Sequence, residues 1–330
     1  MNIQDIQKLY GVLPQGNALI KTMEEKSVRT IFLQGLLASA TPMFFASIVK
    51  RLQRTILFVL NDNDEAGYFY NDLKTIAMPD NANEQTAEVL FFPSSYRRAV
   101  KYGQRDAGNE ILRTEVLSRL SVINEEKTTS SLPLCIVTEP SALAELVVAK
   151  HKLDEHTLSI SVGQTIDLTE TEKTLRSYGF QQVDYVYEPG QFAVRGSILD
   201  VYSFSSELPY RIDFFGNDVD TIRTFEVETQ LSKDKKEKVE IVPELATLSE
   251  EKIPFLQFLP KDSVLVMKDL LYIHDTIERI YNEGFTAQAL TEQLEGRTEV
   301  EQNELRKQLQ ANIQLVTAQQ FADDALNFKR

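Results

Sequence analysis

The chain has 330 residues, 49 acidic against 35 basic, for a formal charge of -14. That excess of carboxylates argues against a surface that holds nucleic-acid phosphates non-specifically, and 42% hydrophobic with 25% charged residues excludes a disordered or fibrous chain. A length beyond about 250–300 residues predicts two or three folded domains, while a single cysteine and the lack of an apolar leader or a long uncharged run favour a cytoplasmic protein without disulfides or membrane spans.

The first 150 residues read as buried strands alternating with helices. RTIFLQ (29–34), TILFVLND (55–62), EVLFFPS (88–94) and LPLCIVTE (132–139) are nearly continuous apolar runs, the pattern of parallel strands covered on both faces. Between them TPMFFASIVKRL, NDNDEAGYFYNDLKTI and DAGNEILRTEVLSRLSVI have helical period, and SALAELVVAK reads as a further helix entered through Glu139-Pro140.

From about residue 157 the pattern changes. LSISVGQTIDL reads as strand-turn-strand and TETEKTLRSYGF as an amphipathic helix ended by Gly179. Alternating segments punctuated by Gly and Pro then predict an antiparallel sheet. KDKKEKVE (233–240) reads equally as a connector, a hairpin tip or the solvated face of strands. SVLVMKD (263–269), the helical LLYIHDTIERIYNEG and EQNELRKQLQANIQL return to the first pattern, so a smaller α+β domain is inserted into an α/β body, or a third domain follows it.

Chemistry is sparse. His151, His156 and His274 fit no metal-ligand spacing, so no metal site is expected, and Cys135 in an apolar run reads as a buried small hydrophobe rather than a thiol nucleophile. Asp62 with Asp64 and Asp218 with Asp220 are acidic pairs of a kind expected by chance in so acidic a chain. Gly35-Leu36-Leu37-Ala38-Ser39-Ala40-Thr41-Pro42 stands where a phosphate loop would stand, but Ala40, Thr41 and Pro42 replace its second glycine, lysine and magnesium-binding hydroxyl. Nucleotide hydrolysis is therefore not expected, and an ordinary strand-to-helix turn, capped by Ser39 or Thr41 with Pro42 in the first helical turn, explains these residues fully. Arg97, Arg98, Lys101 and Arg105, interleaved with Tyr96 and Tyr102, form a basic cluster that reads as an exposed loop paired with carboxylates before it reads as a nucleic-acid contact.

The sheet region is more informative. In LPYRIDFFG, alternation groups Tyr210, Ile212 and Phe214 on a core face and Arg211, Asp213 and Phe215 on the other; in GQFAVRGSILD it groups Ala193 with Arg195. An arginine beside an exposed aromatic suits a protein contact. The competing assignment, that Phe215 and Arg211 serve their own domain, weighs the same on the residues alone.

YVYEPGQFAVRGSILDVYSF (185–204), ELPYRIDFFGNDVDTIRTFEVETQLS (207–232) and the loop GLLASATP (35–42) together resemble the N-terminal UvrB-homology module of the bacterial transcription-repair coupling factor family, Mfd. The resemblance implies a degenerate P-loop-like α/β body made of domain 1a (1–153) and domain 1b (244–330), with domain 2 (154–243) inserted. It implies a non-enzymatic recruitment module that binds UvrA through Arg195, Arg211 and Phe215 and brings nucleotide excision repair to stalled RNA polymerase. It places RNA polymerase, duplex DNA, ATP with magnesium, and a masking contact from a C-terminal domain in parts of the longer family protein not seen here. The loop lacks UvrB's working nucleotide motif, and no UvrB-like aromatic hairpin is visible. The alternative is a residual nucleotide-dependent DNA-binding ATPase.

Overall fold

A computed structural model describes residues 2–79, 81, 84–95, 106–125, 132–245, 251–283 and 315–330. The chain forms two compact units, Met1–Arg105 with Val122–Val147 and Ile253–Arg330, and Asp106–Ser121 with Val148–Lys252. It is an α/β body with a smaller, largely antiparallel β unit interposed in the sequence.

The first unit opens with α1 (Ile3–Gly11) and α2 (Pro14–Glu24), which the hydrophobic pattern had not marked. Its core element is a wholly parallel sheet in the order β14-β1-β3-β2, formed by β1 (Ile56–Val59), β2 (Glu88–Phe92), β3 (Leu134–Thr138) and β14 (Val264–Met267). Every residue of β1 and β3 is buried, as expected for strands covered on both faces. The helix α3 (Ala40–Leu52) buries Phe44, Phe45, Ile48, Val49 and Leu52, and α4 (Asn63–Ala77) buries Phe69, Leu73 and Ile76. Asp62 starts α4 by accepting the Glu65 amide at 2.9 Å, a cap whose acceptor satisfies one of the helix's open N–H groups. Phe44, Phe45, Phe58 and Phe69 form a chain of rings at 5.6, 5.0 and 5.0 Å.

Two assignments need correction. RTIFLQ is not a buried strand: residues 29–34 have no strand pairing of their own, and Phe32 is 88% exposed. Its hydrogen bonds go to the far end of the chain, where the Ile31 amide donates to the Arg330 carbonyl at 2.7 Å and the Arg330 amide to Arg29 at 3.0 Å. Lys329 in turn bridges Val264 of β14. SALAELVVAK is not one helix. A short α6 (Pro140–Ala144), capped by Glu139 on the Ser141 amide, gives way to β4 (Leu146–Val148), since Leu-Val-Val packs better on a pleated edge than on a helix. β4 pairs with β13 (Lys252–Pro254). The remaining helices of this unit are α9 (Phe255–Phe258), α10 (Leu270–Glu283) and α11 (Ala318–Ala325). The expected helix EQNELRKQLQANIQL lies outside the described residues. No described helix is long and apolar enough to cross a membrane.

The second unit holds most of α5 (Ala107–Glu125) and α7 (Lys150–Glu155). β5 (Leu158–Ser161) precedes α8 (Leu168–Ser177), which ends at Gly179 with φ 85°, a conformation glycine adopts freely. The six-stranded sheet runs β11-β10-β9-β8-β7-β6, from β6 (Gln181–Gln182), β7 (Gln191–Arg195), β8 (Ile198–Val201), β9 (Tyr210–Phe215), β10 (Asp218–Phe225) and β11 (Ser232–Lys236). β12 (Lys238–Ile241) pairs with β5, so KDKKEKVE belongs to two strands rather than to a connector. One sheet face packs Phe192, Leu199, Val201, Tyr210, Ile212 and Phe214 with Leu175 of α8 and Ile160 of β5.

Phe45 is 1% exposed between two neighbouring rings, so Phe45→Ala removes both contacts and leaves a cavity. The expected loss is about 3–5 kcal/mol, read from urea unfolding of the first unit's transition, with little change in folding of the second.

Candidate functional site

The sheet of the second unit has a second, polar face, and two tight hairpins position it. β7 turns into β8 through Gly196 (φ 62°), with Arg195 paired opposite Ile198, and β9 turns into β10 through Gly216 (φ 65°), with Phe215 opposite Asp218. Each turn needs a positive φ that glycine supplies without steric penalty. Because Ile198 pairs with Asp213, both turns lie at one end of the sheet. Arg195 and Phe215 therefore stand near that end, and Arg211 sits further down the same face on the central β9.

The burial along β9 follows the alternation read from LPYRIDFFG. Tyr210, Ile212 and Phe214 are buried, Arg211 and Asp213 are half-buried, and Phe215 is 83% exposed. Residues opposite one another in the ladder carry this face across the strands: Ala193, Asp200, Arg211 and Arg223. Asp200 is fully buried (0% exposed) and ties two of the expected residues together. Arg211 Nε and Nη2 donate to its two oxygens at 2.8 Å each, the bidentate geometry of a guanidinium on a carboxylate, and Arg195 Nη2 donates to Oδ2. Arg223 sits directly opposite Arg211 and is turned aside to Asp213, which also accepts from Thr221 at 2.8 Å.

The arginines also lie on rings. Arg211 stacks over Phe225 at 4.4 Å, and Arg195 over Tyr185 at 4.8 Å. A small cluster of Val186, Ala193 and Phe225 forms apolar footing on this same side. Arg195 Nη1 donates to the Asp184 carbonyl at 3.1 Å, and Arg211 Nη1 to that of Gln230 at 3.1 Å. The hydrogen bond with Asp200 holds the Arg211 guanidinium above its ordinary range, against burial, which acts to lower it. The Arg211 side chain is only 14% exposed, whereas Arg195 and Arg223 are each 33% exposed. The three residues named from the resemblance thus share one face in different states: Phe215 free in solvent, Arg195 partly so, Arg211 largely enclosed. Asp200, Tyr185 and Arg223 were not singled out from sequence. The aspartate inside SILDV faces the arginines only through the register of the hairpin, which the sequence does not display.

The other candidate residues do not join this site. Gly35 has φ 92° and Ala38, unusually for a residue with a Cβ, φ 47°. Neither Ser39 nor Thr41 caps α3: Ser39 Oγ donates instead to Asp72 at 2.7 Å. The Ala40 and Thr41 amides are consumed by the Leu37 and Ala38 carbonyls at 3.0 and 3.2 Å, and Pro42 has no amide hydrogen. Arg97, Arg98, Lys101 and Arg105 lie outside the described residues. Asp62 serves as a cap, Asp218 accepts from Thr165 Oγ1 at 2.6 Å, and His156 Nδ1 meets the Lys152 carbonyl at 2.8 Å. Among the described residues His274, Asp275 and Glu278 bring donor atoms within 4.8 Å of one another, all on α10 and none fully buried.

Two measurements check these environments. Asp200→Ala leaves two guanidinium groups without their shared carboxylate, and we expect a loss of about 3 kcal/mol in urea unfolding of the second unit. Burial pushes the Cys135 thiol from 9.0 up to about 12. Above pH 9 the unfolded chain releases this proton while the folded chain keeps it, so stability declines as pH rises from 9 towards 12. Cys135→Ala should remove that part of the decline in alkaline unfolding curves, and disulfide reagents should leave the native thiol unmodified.

Residues 158–246, within the second unit, match the UvrB interaction domain family. The chain is 33% identical over 128 residues to the transcription-repair-coupling factor of Escherichia coli K12, covering 39% of this chain and 11% of that protein. It is 26% identical over 211 residues to that of Haemophilus influenzae, covering 64% of this chain and 17% of the relative, and 26% over 248 residues to that of Bacillus subtilis 168, covering 72% and 19%. It thus spans less than a fifth of the length of these relatives. The chain thus carries a segment matching the UvrB interaction domain and is similar, over up to 72% of its length, to transcription-repair-coupling factors.

Proposed function

We propose that this chain is a recruitment module that binds UvrA through the polar face of its six-stranded sheet and catalyses no reaction itself. The observation that carries the reading is the placement of Arg195, Arg211 and Phe215 on one face, with both arginines held by the buried Asp200. Orientation fixed before binding lowers the entropy cost of a contact, since the arginine side chains have little freedom left to lose. Arg195 and Arg223 keep part of their side-chain surface available to a partner, and Phe215 supplies an apolar anchor. The match of residues 158–246 to a UvrB interaction domain supports UvrA as that partner.

The roles of the three residues differ. Phe215 and Arg195 contact the partner, and Arg211 chiefly braces Asp200 and the sheet. The catalytically inert reading is supported at the loop Gly35 to Pro42, where Ala40, Thr41 and Pro42 replace the second glycine, the lysine and the hydroxyl, and the Ala40 and Thr41 amides at the helix start are already bonded within the turn. On this proposal no nucleotide or metal is required by this segment. Stalled RNA polymerase, duplex DNA, ATP hydrolysis and masking by a C-terminal domain belong to the longer protein, and the module works in the cytoplasm.

Calorimetry of the chain with purified UvrA tests the assignment. Phe215→Ala should leave the unfolding curve unchanged within about 0.5 kcal/mol while weakening UvrA binding by about 2 kcal/mol, roughly 30-fold. Arg211→Ala should weaken binding and stability together. Unchanged affinity in Phe215→Ala would remove this face from the UvrA contact.

A further inference from the structure

The loop Gly35 to Pro42 has no part in the UvrA contact proposed above, yet it roofs a cavity of about 550 Å³ in the first unit. The cavity lies outside the carboxyl ends of β1 and β14, reached through Val59, Leu60 and Val266 to Lys268, the place where open parallel sheets receive ligands. Its volume falls within the usual range for small-molecule pockets. Leu36, Pro42, Phe45, Phe58 and Phe69 supply apolar walls, and Leu37 and Tyr68 stand at its mouth, each 79% exposed.

Its polar groups oppose an anion. Two carboxylates, Glu65 and Asp72, line the cavity with one cation, Lys268, and Lys268 Nζ is paired to Glu65 Oε1 at 2.8 Å. Asp72 accepts from Ser39 Oγ and, among the described residues, has no cationic partner. One negative charge is therefore left over beside an apolar chamber. The α3 amides that would bind a phosphate are spent on Leu37 and Ala38, and Asp72 already occupies the negatively charged position next to that helix start. A nucleoside triphosphate entering here would meet two carboxylates, with Lys268 already paired to Glu65 and the first amides of α3 already bonded.

We propose that this cavity binds a small apolar amine, an aromatic or aliphatic body seated against Phe45, Phe58 and Phe69 with a single ammonium placed on Asp72. The ammonium donates to the carboxylate in a partly desolvated setting, and the body displaces water from the apolar walls. The proposal does not depend on UvrA binding.

Tryptamine and tryptophol share a ring and chain length and differ in carrying an ammonium or a hydroxyl, so they isolate the charge. Titrated into the whole chain by calorimetry, tryptamine should bind saturably and at least about tenfold more tightly than tryptophol, with ATP weaker than either. Asp72→Asn should abolish the preference for tryptamine. Leu37→Arg, at an exposed position whose change should spare the fold, should weaken tryptamine by setting a cation at the mouth. Equal affinities for the two probes, no saturation at millimolar concentration, tighter binding of ATP, or indifference to Leu37→Arg in the folded variant would each overturn the proposal.

Discussion

A carboxylate removed from water must be given back charge and hydrogen bonds by the protein, or its burial weighs heavily against folding. Asp200 meets that requirement with two arginines from the strands on either side of it, and much of the second unit's polar face follows from the solution. Arg211 has to lie flat across β8 and β9 to reach both oxygens, which lays its guanidinium over Phe225. Arg195 has to fold back from the hairpin end, which lays it over Tyr185. Arg223, facing Arg211 in the ladder, is then obliged to find a different carboxylate and takes Asp213. A single buried charge thus fixes the direction of three cations on a surface where long side chains would otherwise wander.

The same requirement separates the contributions of the residues first associated with the partner. An exposed phenylalanine contributes to binding only when covered, so its removal tests an interface with little disturbance of the fold. An arginine already satisfied by a buried aspartate contributes to the shape of the surface before any partner arrives. On the proposed function, loss of binding on changing Arg211 would report both effects at once, and only comparison with Phe215 would separate them.

The parallel sheet was legible because strands covered on both faces are apolar throughout, as ILFV and LCIVT are. The alternation in β9 likewise exposed its two faces, since period two is a local property of the strand. RTIFLQ misled for the complementary reason: its apolar residues rest at the rim, and its backbone partner is Arg330, some three hundred positions away. Asp200 escaped notice because its importance lies in cross-strand register, which no window of sequence displays. The absence of a lysine and a magnesium-binding hydroxyl was visible in the residues of the loop, but the bonding of the Ala40 and Thr41 amides depends on a backbone turn that only coordinates reveal.

The lysine-bearing strand β11 has every residue exposed and closes one border of the six-stranded sheet, while the opposite border, β6, is two residues long. A border of unpaired amides and carbonyls invites another chain to add itself as a further strand, and protruding lysines or extreme shortness deter this. The sheet therefore offers no convenient seam for strand addition on either side. On the proposed function a partner is met broadside, through side chains whose identity it has to match, which would make recognition selective in sequence where backbone pairing would be permissive.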